Sequence, residues 1–169
     1  FLLVIFLFWF VGIYNALNLL DGLDGLAGGF MVFVCISASF AGSGTFAQIN
    51  FILFVLLFGF LVFNQRPAKL FMGDAGSLLL GFHIAVLPLL FIESTPFIKT
   101  LNTTPFVLLA TYLVADTTRV FFTRLAVKKS PMTADTIHFH HVILQQSGSY
   151  LASIGSIYFV AFITALFAV

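Results

Sequence analysis

The chain has 169 residues, of which 61% are hydrophobic and 8% charged, with 24 phenylalanines and a formal net charge of +1. So apolar a composition cannot be hidden in one soluble core, which excludes an ordinary water-soluble domain and points to a bilayer. The near-neutral balance, with no basic stripe to follow phosphates along a groove, excludes a nucleic-acid role.

Apolar runs long enough to cross about 30 Å of hydrocarbon predict helices near 1–17, 29–42, 47–63, 77–92, 105–121 and 150–168. The fold class that follows is all-α: a polytopic transmembrane helix bundle with about six spanning helices, the second one short. Residues 1–169 read as a single integral membrane domain. The chain opens at Phe1 inside a hydrophobic run, without a charged leader segment, and so reads as a piece lacking its amino-terminal part. Cys35 lies alone in an apolar stretch, with no second thiol to form a disulfide or a metal cluster.

The polar connections fall at 18–28, 43–46, 64–76, 93–104 and 122–149 and alternate between the two membrane sides. Connections 18–28, 64–76 and 122–149, with the adjoining helix end, hold Arg66, Lys69, Arg119, Arg124, Lys128 and Lys129. The opposite side holds Glu93 and Lys99. The positive-inside rule therefore makes the first set cytoplasmic, and that set also contains Asp21, Asp24, Asp74, Asp135, His138, His140 and His141. The chemistry-bearing residues are thus expected on the cytoplasmic face.

Three segments carry them. In the first, Asn18 to Gly29, Asp21 and Asp24 stand three apart, as do Gly22, Gly25 and Gly28. On a helix that spacing makes one face, with acidic heads beside a bare backbone that a partner helix or a phosphorylated ligand can approach. The plainer alternative is a glycine packing seam capped by aspartates. In the second segment, Asn64 to Ser77, Asp74 or Ser77 can cap the apolar helix that follows. Three aspartates from two loops also suit Mg²⁺, which usually takes one or two carboxylates together with substrate phosphates and water.

The third segment runs from Lys128 to His141 and places three imidazoles within four residues. These can donate to phosphate oxygens, shuttle protons, bind a transition metal or simply lie at the interface. Zinc lacks a nearby cysteine or glutamate to complete its shell. Elsewhere, His83 is an intramembrane functional group or a neutral residue bonded between helices. Asp116 and Arg119, three apart at a helix end, are expected to pair, and Pro88 reads as a kink.

Taken together, Asn18-x-x-Asp21-Gly22-x-Asp24-Gly25-Leu26, Phe71-Met72-Gly73-Asp74-x-Gly76-Ser77 and His138-x-His140-His141 resemble the polyprenyl-phosphate N-acetylhexosaminyl-1-phosphate transferases, glycosyltransferase family 4. Within that family the chain is most similar to the undecaprenyl-phosphate N-acetylglucosaminyl-1-phosphate transferases, and it would be a C-terminal piece of such an enzyme. The resemblance implies a multi-pass protein of the bacterial inner membrane that begins cell-envelope or lipopolysaccharide synthesis. It implies Mg²⁺, or Mn²⁺ in its place, a UDP-N-acetyl sugar and a polyprenyl phosphate as substrates, and a homodimer as one assembly.

Carried over residue by residue, Asp74 and Asp21 would hold the metal, and Asn18 and Asp24 would line the metal and nucleotide-sugar site. Asn64 and Phe71 would bind the nucleotide, Phe71 by stacking on uracil, and His138, His140 and His141 would hold the diphosphate. Two features depart from the family: its paired aspartates on an earlier cytoplasmic loop are absent from these residues, and Val142 stands where relatives place Arg. The alternative readings are a phospho-N-acetylmuramoyl-pentapeptide transferase of the same family, a proton-coupled membrane carrier built around His83, and a non-catalytic scaffold.

Overall fold

The structure, a computed structural model, describes residues 2–94, 104–128 and 137–167. Lys99, Lys129 and Asp135, and the segment 129–136 that precedes the histidines, lie outside the described residues. The described residues form helices α1 (Leu2–Leu20), α2 (Leu26–Ala41), α3 (Gly44–Asn64), α4 (Gly73–Ser94), α5 (Thr104–Ala126), α6 (Phe139–Ser147) and α7 (Tyr150–Leu166). The six long runs predicted from hydropathy are present as α1 to α5 and α7, most of them longer by a few residues.

Among the described residues, α1, α3 and α4 are long and apolar enough to cross a membrane. Helices α2 and α7 are apolar but have 16 and 17 residues, which gives them about 24–26 Å of rise, less than a full hydrocarbon layer. The apolar surface is turned outward as well as inward. On α3, Phe51, Ile52, Leu56, Phe58 and Val62 are all exposed, as expected for a face that meets lipid tails.

At the centre, α2 packs on α3 and α7, while α1 packs on α4 and α5. Phe30, Met31 and Val34 of α2 are buried with Ile13 and Leu17 of α1 and Ile84 and Leu87 of α4. Lipid is as apolar as these side chains, so close packing and interhelical hydrogen bonds must hold the helices together. Gly81 of α4 lies so close to Tyr14 of α1 that a Cβ there would sit 2.6 Å from the Tyr14 Cα. Nearby, Trp9 Nε1 donates to the Ala85 carbonyl at 3.0 Å. His83 Nε2 meets Asn50 Oδ1 at 2.9 Å, which bonds α4 to α3.

The polar connection 122–149 contains α6, whose Leu144 carbonyl is closed by Gly148 at the helix end. One expectation is corrected: the 18–28 segment is not one helical face. Helix α1 stops at Leu20, and Gly25 turns the chain with φ 78° before α2 begins. Gly22, Gly25 and Gly28 therefore form no common strip, and Gly25 is required by the left-handed turn itself.

Candidate active site

Chain alternation brings the ends of α1, α3 and α5 and the starts of α2, α4 and α7 to one end of the bundle, with α6 lying on α7 there. All nine residues expected to carry chemistry, Asn18, Asp21, Asp24, Asn64, Phe71, Asp74, His138, His140 and His141, fall at this end.

The turn between α1 and α2 is tied down from several sides. Asn64, buried at the end of α3, accepts from the Gly25 N–H at 3.0 Å and donates to the Leu70 carbonyl at 2.8 Å. Both ends of its amide are thus engaged with backbone, so Asn64 locks the turn to the 64–72 loop. Tyr158 of α7 donates to the Gly25 carbonyl at 2.6 Å, and Tyr150 donates to that of Asp24. The Asp24 carboxylate accepts from the Ala68 N–H at 3.2 Å.

Asn18, one helical turn beyond the Tyr14–Gly81 contact, donates to Ser77 Oγ at 2.8 Å and to Asp74 Oδ1 at 3.3 Å. Asp74 is exposed in the first turn of α4, where the unpaired N–H groups favour negative charge. Asp21 is half-buried at the head of the turn. Its burial, together with the nearby Asp74 and Asp24 carboxylates, pushes its carboxyl up to about 6. Asp21, Asp24, Gly22, Asn64, Met72 and Phe71 line a cavity of about 180 Å³. Phe71 is 72% exposed, so its ring face is open to a planar partner.

The histidines lie against the same turn. A Cβ on Gly22 would come within 2.9 Å of His140 Nε2 and 3.2 Å of His141 Nε2, so only a bare backbone fits against the imidazoles, one residue from Asp21. The rings of His138 and His140 stack at 5.9 Å, and His141 adjoins His140 at 4.3 Å. Ser153 of α7 holds the His140 carbonyl at 2.6 Å. His140 is wholly buried, and neither of its ring nitrogens has a hydrogen-bond partner among the described residues. Burial, then the His141 and His138 rings, pushes His140 down to about 4. A neutral imidazole with unpaired buried nitrogens costs about 1–3 kcal/mol, which an anionic ligand bearing oxygens would relieve.

Among the described residues, no group of three or more His, Cys, Asp or Glu side chains is placed to hold a metal ion. A closed zinc cage is therefore not formed by them. The donor set does fit a hard dication shared with substrate oxygens. Asp21 and Asp74 are carboxylates that crowd each other, no described cation neutralises Asp21, and diphosphate and water would complete the shell.

Residues 1–92, which include the aspartates of this site but not its histidines, match the sequence model of glycosyl transferase family 4. The chain belongs to this family. A probable undecaprenyl-phosphate N-acetylglucosaminyl 1-phosphate transferase of Bacillus subtilis is 34% identical over 165 residues, covering 95% of the chain and 46% of that protein. An undecaprenyl-phosphate alpha-N-acetylglucosaminyl 1-phosphate transferase of Thermotoga maritima is 35% identical over 147 residues, 87% of the chain and 45% of the relative. A phospho-N-acetylmuramoyl-pentapeptide-transferase of Listeria monocytogenes is 43% identical over 99 residues, but these cover 53% of the chain and 29% of the relative. The chain thus spans about half the length, or less, of the curated relatives it matches.

Sequence reasoning missed the roles of four residues at this end of the bundle. Tyr150 and Tyr158 are eight apart in the first half of α7, and their spacing alone could have placed both hydroxyls on one face. Ser77 was seen only as a cap, whereas its hydroxyl orients Asn18. The pairing of Asp116 with Arg119 is present at 2.8 Å, but Asp116 also holds the histidine segment, which no local pattern announces.

Proposed function

We propose that the full-length protein transfers N-acetylglucosamine-1-phosphate from a UDP-sugar to undecaprenyl phosphate and releases UMP. One observation carries this reading: the turn that holds the crowded Asp21 carboxyl also packs, at Gly22, against His140, a buried imidazole with no hydrogen-bond partner among the described residues. Such a site is short of a dication on one side and of an anion on the other. A diphosphate with Mg²⁺ supplies both.

Asp21 and Asp74 would hold Mg²⁺, or Mn²⁺ in its place, which when bound neutralises charge on the diphosphate and the leaving nucleotide. Asn18 keeps Asp74 oriented through its amide. His140 and His141 donate to diphosphate oxygens with His138 stacked behind His140, Phe71 stacks on the uracil, and Asn64 and Asp24 hold the loop and turn that shape the nucleotide cavity. The lipid phosphate oxygen attacks the β-phosphorus while the bond to the UMP oxygen breaks, so positioning and electrostatics do most of the work. The preference for an acetylglucosamine donor rests on the matches that run along most of the chain.

Arg66, Lys69, Arg119, Arg124 and Lys128 lie at the site end of the bundle, which supports a cytoplasmic active site. There the lipid phosphate sits at headgroup level and the nucleotide-sugar arrives from water. The test is UMP release by the full-length protein in detergent, from UDP-N-acetylglucosamine and undecaprenyl phosphate. Release should require the lipid and a divalent cation and fall at least about 10³-fold in Asp74→Ala. Release that survives this substitution, or none from well-folded wild type with any UDP-acetamido sugar, would overturn the reading.

A further inference from the structure

The histidine segment is held from α5. The buried carboxylate of Asp116 takes three donors: His138 Nδ1 at 2.9 Å on Oδ2, and Arg119 at 2.8 Å and the Phe139 N–H at 3.1 Å on Oδ1. Phe139 is the first residue of α6, where backbone N–H groups have no partner within the helix. The preceding residue, His138, gives α6 no side-chain cap. Asp116 therefore caps α6 from another helix and places negative charge at its positive end.

The same contact decides which nitrogen of His138 carries hydrogen. A carboxylate taking N–H bonds is an acceptor, so Nδ1 must donate, and Nε2 is the atom left to act elsewhere. His138 Nε2 is buried and has no hydrogen-bond partner among the described residues. Its ring stacks on His140, whose Nε2 lies against Gly22. We propose that Asp116 is a positioning residue of the transferase reaction: it caps α6 and fixes His138 in the Nδ1–H form, so that Nε2 is left as an acceptor for an O–H of the substrate. This rests on the function proposed above for its kinetic consequence, but not for the state of the ring.

Asp116→Asn separates shape from tautomer. The amide oxygen can keep the Phe139 and Arg119 bonds, while its NH₂ faces His138 Nδ1 and makes that nitrogen an acceptor. In the full-length enzyme, kcat for UMP release is expected to fall about 10- to 100-fold, the usual cost of losing an outer partner that orients an imidazole, with KM for the UDP-sugar changed less than about threefold. In a His138→Ala background the same change should cost less than about threefold, because Asp116 acts through His138. Equal losses in both backgrounds would overturn the proposal, as would a kcat kept within about threefold in the single variant.

Nitrogen-15 spectra of histidine-labelled wild type, with His138 assigned by the signal lost in His138→Gln, need no activity and no folded Asp116 variant. A hydrogen on Nδ1 is expected. A ring protonated only on Nε2 would overturn the proposal even if the protein proves to be the transferase, and an Nδ1–H ring would stand even if it proves not to be.

Discussion

Asp116 and Asp21 lie at the same end of one helix bundle and are treated in opposite ways. Asp116 is surrounded by donors from α5 and the start of α6 and is 7% exposed. Asp21 has other carboxylates as neighbours, and its carboxyl is pushed up to about 6. The first arrangement fixes a geometry; the second leaves a charge to be met from outside. Burial alone does not separate an architectural carboxylate from a reactive one, whereas the sign of its surroundings does.

Gly22→Ala probes the boundary between the two regions and should have the largest effect. The new Cβ would lie 2.9 Å from His140 Nε2, so α6 must move away from the carboxylates. UMP release is expected to fall about 10²-fold, and overpacking should cost about 1–3 kcal/mol, read as a lower Tm. Activity within about threefold of wild type would mean that the histidines and the turn work independently.

A smaller effect follows from Asp21. Its carboxyl is raised from the ordinary value of 3.8 to about 6, so the folded protein binds the proton more tightly than the unfolded chain does. Relative stability from this group is therefore greatest at low pH and is lost as pH rises through about 6. Without divalent cation, wild type should lose more Tm between pH 4.5 and 7.5 than Asp21→Asn. Added Mg²⁺ should restore the difference at pH 7.5. Parallel pH curves would mean that Asp21 is not crowded in the way described.

The smallest effect is expected away from this end, at His83. Gln can still donate to Asn50 Oδ1, as His83 Nε2 can across its 2.9 Å contact. His83→Gln should therefore keep UMP release within about threefold. Abolished activity would revive a path through the bilayer of the kind a carrier needs.

Much of this was legible in the sequence. Long apolar runs are set by local composition, so the six helices and the gathering of charge at one end could be read directly. The aspartates and histidines were legible as motifs. The break at Gly25 was not, because a three-residue glycine spacing suits a helix face as well as a turn, and the choice is made by Asn64, 39 residues away. Helix α6 was missed for a similar reason. It has 9 residues, too few to stand out by apolar period, and its cap comes from Asp116, on a different helix. Interactions that reach across the chain leave no local signal.

The central claim is that Asp21 and Asp74 form an acceptor for a divalent cation that the histidine side does not. Titration of the full-length protein with Mn²⁺, followed by electron paramagnetic resonance, tests it without assuming any reaction. Binding that Mg²⁺ displaces is expected in wild type and in His140→Ala, weakened at least about tenfold in Asp21→Asn/Asp74→Asn. Equal Mn²⁺ binding by wild type and the double aspartate variant, or loss of binding in the histidine variant alone, would contradict the account.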